Sequence, residues 1–327
     1  MILNRRPRRL GTADFFYVMK KAILSFVAFA LTATGLAAAS GPGLLVPAYF
    51  PPGDDGLWPR LNAAAEKKVP LIAIMNPDVG PGRAPNPEYL KTTKELKKSG
   101  GKVVGYIFTK YGLRNTQHVM EDISNYFEWY PDLDGIFIDQ MPSAADFVKL
   151  DNKKPSPFLG QFYNLGGSKS RKANKGDSAR NKMKEYYYRI WLHINALNPD
   201  WLTIGNPGAM PDQKFFNAKN VNVFVTFANY EGYDALKAPA WLKQGDKKTA
   251  HLVYDIATAE DMKKHIAAAK AHGVDWIYVS DDGGGNPWDT LPAYWDDLVA
   301  ELSSGGRSSS KSAPSKKKRS GFFRRKK

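Results

Sequence analysis

The chain has no cysteine, which excludes a disulfide framework and any thiolate metal site. Histidine is scarce: there are five, none in HExxH spacing, so no zinc set is expected and His265 and His272 read as members of an ordinary helix. No GxSxG announces a serine nucleophile, and no glycine-rich phosphate turn follows the first apolar run. Net charge is also missing from the middle of the chain. Of 47 Lys/Arg and 32 Asp/Glu, sixteen bases and one acid lie in residues 1–21 and 307–327, which leaves 31 of each sign between them. The net +15 therefore belongs to the two ends, and the neutral core carries no dedicated nucleic-acid site.

What is present begins with a leader. From Met19, "MKKAILSFVAFALTATGLAAASG" has a charged start, an apolar stretch and a small-residue Ala37-Ala38-Ala39 site. That is the pattern of a cleaved secretory signal peptide, whether translation begins at Met1 or Met19. The apolar run Ala22–Ala39 leaves a single membrane anchor as the alternative. Either reading sends the protein to the cell envelope, the periplasm or the exterior. At the other end, "SSGGRSSSKSAPSKKKRSGFFRRKK" lacks a periodic apolar face and reads as a disordered basic tail that can contact an anionic surface. The expected division is thus 1–39 leader, 40–302 folded domain and 303–327 tail.

Eight short apolar runs rich in β-branched and aromatic residues punctuate the domain, at 44–50, 70–76, 102–109, 134–140, 201–206, 221–228, 250–256 and 275–281. They are nearly continuous rather than alternating, as parallel strands buried on both faces should be. Between them lie helical patterns. Val119, Ile123, Phe127 and Tyr130 share one face; Thr258, Asp261 and Gly273 read as the cap, capping partner and stop of another helix; and residues 180–199 form a third, ended by Pro199. Eight such units in about 260 residues predict a single (β/α)8 barrel with a long loop, 151–181, after strand four. A doubly wound open sheet is the other arrangement of this pattern.

In such a barrel the reacting groups sit where strands end. Here the ends supply Tyr49, Asn76, Tyr111, Asp139 with Gln140, Asn206, Asn229 with Glu231, Tyr254 with Asp255, and Asp281 with Asp282, followed by Trp288. Carboxylates, amides and aromatic rings dominate and cations are rare. That set suits a neutral or amino sugar, because rings stack on sugar faces, amides bind hydroxyls and acids move protons. It does not suit a phosphorylated ligand. "DDGGGNPWD" lacks EF-hand spacing, so neither metal nor cofactor is expected.

The blocks "LLVPAYFPP", "VPLIAIMNPDVGPG", "GYIFTKYGLR", "YPDLDGIFIDQ", "IGNPG", "VNVFVTFANYEGY" and "YVSDDGGGNPWDTLPAYW" resemble, in order, those of spherulation-specific family 4, over residues 44–296. The resemblance implies a secreted (β/α)8 glycoside hydrolase, here expected to be a monomer, acting on galactosamine-containing exopolysaccharide. It also implies an Asp-Glu ending to strand four and a further Glu after strand six. Asp139 matches the first acid, while Gln140 and Ala228 stand where the others are expected.

Three readings follow. A hydrolase would use Asp139 with Glu231 or Asp281, or with Asp282, as a relocated acid. Tyr49, Asn76, Tyr111, Gln140, Asn206, Asn229, Asp282 and Trp288 would then bind substrate. A carbohydrate-binding relative would keep the groove without catalysis. A surface-interaction protein would act through its tail.

Overall fold

The computed structural model describes residues 41–53, 56–143, 175–213, 221–244 and 248–303. The leader, the segment 144–174 after the fourth strand and the tail 304–327 lie outside the described residues, and with them the expectations placed there. Eight parallel strands close in chain order, β1 (Gly43–Ala48), β2 (Leu71–Met75), β3 (Lys102–Phe108), β4 (Gly135–Asp139), β5 (Leu202–Gly205), β6 (Val223–Asn229), β7 (Lys248–Val253) and β8 (Trp276–Val279). Closure comes from β1 pairing with β8 through Gly43 with Trp276 and Leu44 with Ile277, so the sheet is a barrel and the open doubly wound arrangement is excluded.

The helices are α1 (Leu57–Glu66), α2 (Pro87–Lys98), α3 (Thr116–Trp129), α4 (Lys175–Leu197), α5 (Ala259–His272) and α6 (Trp295–Ser303). Their ends are written in local chemistry. Asn86 accepts from the Glu88 N–H ahead of Pro87, and Asn115 accepts from the Gln117 N–H, each satisfying a donor that the first helical turn leaves free. Thr258 accepts from the Asp261 N–H, and Gly273, at φ 71°, supplies the left-handed residue that stops α5. Lys97 and Lys98 end α2, as a helix dipole favours.

The core fills both layers. Leu44, Ile74, Val104, Phe137 and Val225 are buried in the strands, and Leu96, Ile123, Ile190, Ile266 and Leu298 pack from the helices. Glycines set two close approaches. A Cβ at Gly105 would meet the Tyr126 ring at 2.8 Å, and one at Gly43 would meet Trp276 at 2.6 Å. Strands one and seven end earlier than the apolar runs suggest, so Tyr49, Tyr254 and Asp255 stand past the ladder on the loops of the mouth. Apolar runs continue there because the loop residues still cover the core. Among the described residues no helix is long and apolar enough to cross a membrane.

Candidate active site at the barrel mouth

Asp139 is the last residue of β4, and the strand pleat turns it the same way as Phe137, two residues before. Tyr106 of β3 stacks on Phe137, with ring centroids 6.2 Å apart, and its hydroxyl donates to Asp139 Oδ2 at 2.8 Å. Asn206, just after β5, donates from Nδ2 to Asp139 Oδ1 at 2.8 Å while its own Oδ1 accepts from the Gly208 N–H. Both carboxylate oxygens are therefore held by neutral donors. Among the described residues no Lys or Arg pairs with the group. The nearby Arg114 is committed elsewhere: it bonds Asp122 at 2.7 Å and lies 4.4 Å over the Phe108 ring.

Burial raises the Asp139 pKa above the usual carboxylate value, and hydrogen bonds from Tyr106, the Gln140 N–H and Asn206 oppose that rise. The carboxyl is thus pushed toward holding a proton without a cation to fix its charge. This differs from a structural ion pair, in which a cation holds the carboxylate in its charged form. Tyr49 meets Tyr106 edge-on at 5.3 Å and is itself held well above the ordinary phenol value, by burial first and by the Asp139 charge second.

Gln140 follows in a left-handed conformation, φ 50°, which costs a non-glycine residue roughly 1 kcal/mol or more. Its carbonyl is pinned to the Tyr111 N–H at 2.7 Å and to Thr109 Oγ1 at 2.8 Å, and Thr109 in turn meets the Tyr187 hydroxyl of α4 at 2.8 Å. Opposite it, Lys110, Tyr111 and Gly112 are three successive residues with positive φ. Two strained turns therefore brace each other beside Asp139, and Tyr111 is left 51% exposed.

The other residues expected from sequence are distributed around the rim. Asn76 Oδ1 accepts from the Gly80 N–H and so shapes its own loop. Asn229 Oδ1 accepts from the Tyr230 N–H, and Glu231 beyond it is exposed. Asp281 Oδ2 accepts from the Ala293 N–H, which ties this acid to the loop after β8. Asp282 caps Gly283 through Oδ1 and shares a hydrogen bond with Asp289. Asp289 has its pKa raised by burial first, then by that bond and by the Asp282 charge. The structure thus brings Asp139, Tyr49 and Asn206 together, joined by Tyr106, with Gln140 and Tyr111 on the braced turns beside them. No hydrogen bond joins Glu231, Asp281 or Asp282 to Asp139 among the described residues.

Tyr106 and Tyr187 were not read as site residues from sequence. Tyr106 sits inside an apolar strand, where nothing in the local pattern marks one aromatic as facing a carboxylate. A second cluster also went unread. His251 of β7, 2% exposed, meets the Tyr233 hydroxyl at 2.9 Å and Thr226 Oγ1 at 3.1 Å, and burial pushes its pKa down to about 3. Tyr233 stacks on His265, and His272 approaches it edge-on. Among the described residues no group of three or more His, Asp or Glu is arranged to hold a metal ion.

The model of spherulation-specific family 4 matches residues 43–302, from β1 through the last turn of α6. Spherulin-4 of Physarum polycephalum is 30% identical over 183 residues, 55% of this chain and 44% of that protein, so the chain spans less than half the length of this curated relative. Among solved structures, Sph3 of Aspergillus clavatus, crystallised in complex with GalNAc, superposes with a TM-score of 0.60 at 18% identity, covering 80% of this chain and 98% of that one. The alpha-L-fucosidase isoenzyme 2 of Paenibacillus thiaminolyticus superposes with a TM-score of 0.53 at 12% identity, covering 81% of this chain and 49% of that one. These likenesses are ones of fold: the barrel is of the kind that glycoside hydrolases use. With the family's model matched from the first strand to the last helix, the chain belongs to spherulation-specific family 4.

Proposed function

We propose that the chain acts outside the cytoplasm on an amino-sugar polysaccharide of the galactosamine type, with Asp139 as the group that exchanges a proton with the glycosidic linkage. The observation that carries this reading is the environment of Asp139: a carboxyl at the end of a barrel strand, withdrawn from water, held on both oxygens by neutral donors and, among the described residues, paired with no cation. A group so placed is ready to protonate a leaving oxygen, and its raised pKa is the property a general acid needs near neutral pH. The GalNAc bound to Sph3 supports a sugar of that class here.

Hydrolysis needs a second carboxyl group, at about 5–5.5 Å for retention or 6.5–9.5 Å for inversion. Glu231 is the candidate, because it follows β6 within three residues of Ala228 and is exposed with no partner among the described residues, whereas Asp281 is drawn onto Ala293. Gln140 and Asn206 would then hold sugar hydroxyls, since amides both donate and accept.

The test is hydrolysis of a GalNAc-containing polymer by the native protein, Asp139→Asn and Glu231→Gln. Loss of turnover in both variants supports the assignment; full activity in Asp139→Asn overturns it. The second reading, sugar binding without turnover, is favoured by Gln140, an amide that cannot supply a proton at neutral pH. Under that reading the native protein binds polymer without cutting it, and Gln140→Glu combined with Ala228→Glu gains activity.

A further inference from the structure

The mouth of the barrel carries a feature that the chemistry at Asp139 does not use. Tyr230 after β6, Tyr254 after β7 and Trp288 after β8 stand side by side, with centroids 5.6 Å apart for the first pair and 5.4 Å for the second. Tyr278, fully buried in β8, lies 5.9 Å beneath Trp288 and supports it. Tyr230 is 49% exposed, and the other two are half-buried. Among the described residues neither tyrosine hydroxyl nor the indole N–H has a protein partner, so the row presents ring faces and free polar tips together. Exposed rings with open hydroxyls at consecutive strand ends lose burial energy that a folded core would otherwise recover, and a ligand regains it by covering them.

The row is continuous with the Asp139 site. The Trp288 carbonyl accepts from the Tyr49 N–H at 3.1 Å, and the Tyr49 ring meets Tyr106, whose hydroxyl holds Asp139. Ring contacts join Tyr106 to Tyr49 on one side and Trp288, Tyr254 and Tyr230 on the other, and this backbone bond links the two sets. Acids flank the row in sequence, Asp255 beside Tyr254 and Asp289 beside Trp288. Asp255 donates its backbone N–H to the Asp282 carbonyl at 2.8 Å, which draws together the loops that carry Asp255, Asp282 and Asp289.

We propose that Tyr230, Tyr254 and Trp288 form a second sugar subsite that holds further units of the same glycan chain whose reacting unit lies at Asp139. The acids beside the row confine that chain to uncharged or amine-bearing units and repel uronate or sulfated ones, because like charges at close range cost affinity. This rests on the reading of Asp139 given above. It deepens it by making chain length, and not the single sugar, the determinant of affinity.

The experiment is isothermal titration calorimetry on the full chain with GalNAc, with N-acetylgalactosamine oligosaccharides of two to six units, and with oligogalacturonate of matched length. The expected result is an affinity that rises tenfold or more from one unit to several, with oligogalacturonate at least tenfold weaker. Tyr230→Ala and Tyr254→Ala should abolish most of that rise while leaving the affinity for GalNAc within twofold. Tyr230→Phe, which keeps the ring, should retain it. Melting curves of each variant report folding, and Tyr230 is exposed enough to be replaced without disturbing the core. An affinity that does not depend on chain length, or one that survives both alanine variants, overturns the subsite while leaving Asp139 untouched. Equal binding of oligogalacturonate overturns the charge selection. Oligosaccharide binding that Asp139→Asn does not weaken, in a protein that ignores GalNAc, overturns the reading of Asp139 and leaves the subsite standing. Failure to bind any of these sugars overturns both.

Discussion

The β3–β5 side of the mouth and the β6–β8 side solve opposite problems with similar residues. On the first side the groups around the carboxyl are tied together: Tyr106 and Asn206 hold Asp139, and Thr109 ties the Gln140 carbonyl to Tyr187. On the second side Tyr230, Tyr254 and Trp288 have no partner for their polar tips among the described residues, and the acids Asp282 and Asp289 crowd one another. Saturated hydrogen bonding fixes one charge in one place, as chemistry demands. Open aromatic surface offers area without fixing a position, as the grip on a chain demands. The buried wall behind the second side differs too, because it hides an uncharged His251 where the first side hides a carboxyl with an elevated pKa.

The largest expected effect breaks the first side. Asp139→Asn keeps the shape, and the Tyr106 hydroxyl can turn to accept from the new amide, so the fold survives. Turnover of a GalNAc-containing polymer should fall by about 10²–10⁴-fold, the usual loss when a general acid or base is removed.

The next effect separates the two sides by acid. Because the folded-state pKa of Asp139 is raised, its contribution to stability is complete below the ordinary value of 3.8 and is lost as pH rises through the folded value. His251 behaves in the opposite way. Its pKa falls from 6.5 to about 3, so its contribution is present above pH 6.5 and is lost as pH falls toward 3. Denaturant titrations from pH 7 to pH 4 should show His251 dominating, with a loss on the order of 4 kcal/mol at most by the lower limit. His251→Gln should flatten that decline, and Asp139→Asn should steepen it. A decline unchanged in His251→Gln would place the acid sensitivity elsewhere.

A smaller effect tests the bracing of the strained turn. Thr109→Val removes the hydroxyl that joins Gln140 to Tyr187, and should cost about 1–3 kcal/mol in chemical denaturation with a fold that is otherwise intact. The smallest lies on the open side. Asp289→Asn relieves repulsion from Asp282 and should raise stability by no more than about 0.5 kcal/mol near neutral pH, with the gain gone in acid, where the native carboxyl is protonated anyway. A loss on Asp289→Asn would mean that the acid pair is a structural contact.

Much of this was legible in the chain and some was not, for definable reasons. The eight strands and their parallel order follow from continuous apolar runs, and the ends of α5 from Thr258 and Gly273, because those signals are local. Asp139 stood out because a carboxylate after Ile136, Phe137 and Ile138 breaks an apolar pattern. Tyr106 did not, because in a strand buried on both faces the period of two is hidden and the inward residues cannot be told from the outward ones. Tyr187, on a helix, and His251 were hidden for another reason: their meaning lies in partners 78 and 18 residues away. The strained turn at Gln140 leaves no local mark either, since glycine, the residue that usually announces a positive φ, is absent there.

The seam between β1 and β8 has a consequence for how the molecule comes to be. Only two residue pairs close the ring there, Gly43 with Trp276 and Leu44 with Ile277, and each spans most of the domain in sequence. The entropy of bringing such distant segments together is lost before their contacts return anything, so sequence distance makes this seam the costliest strand pairing to close. Until it closes, β1 and β8 each present an unpaired edge, the template on which a second unfinished chain can pair. Gly43 sits on that latch with the Trp276 ring where a side chain would be, so any larger residue there would delay closure as well as strain it. The hazard for this barrel is therefore a kinetic one: an open ring during biogenesis, and no free edge at all once the latch has shut.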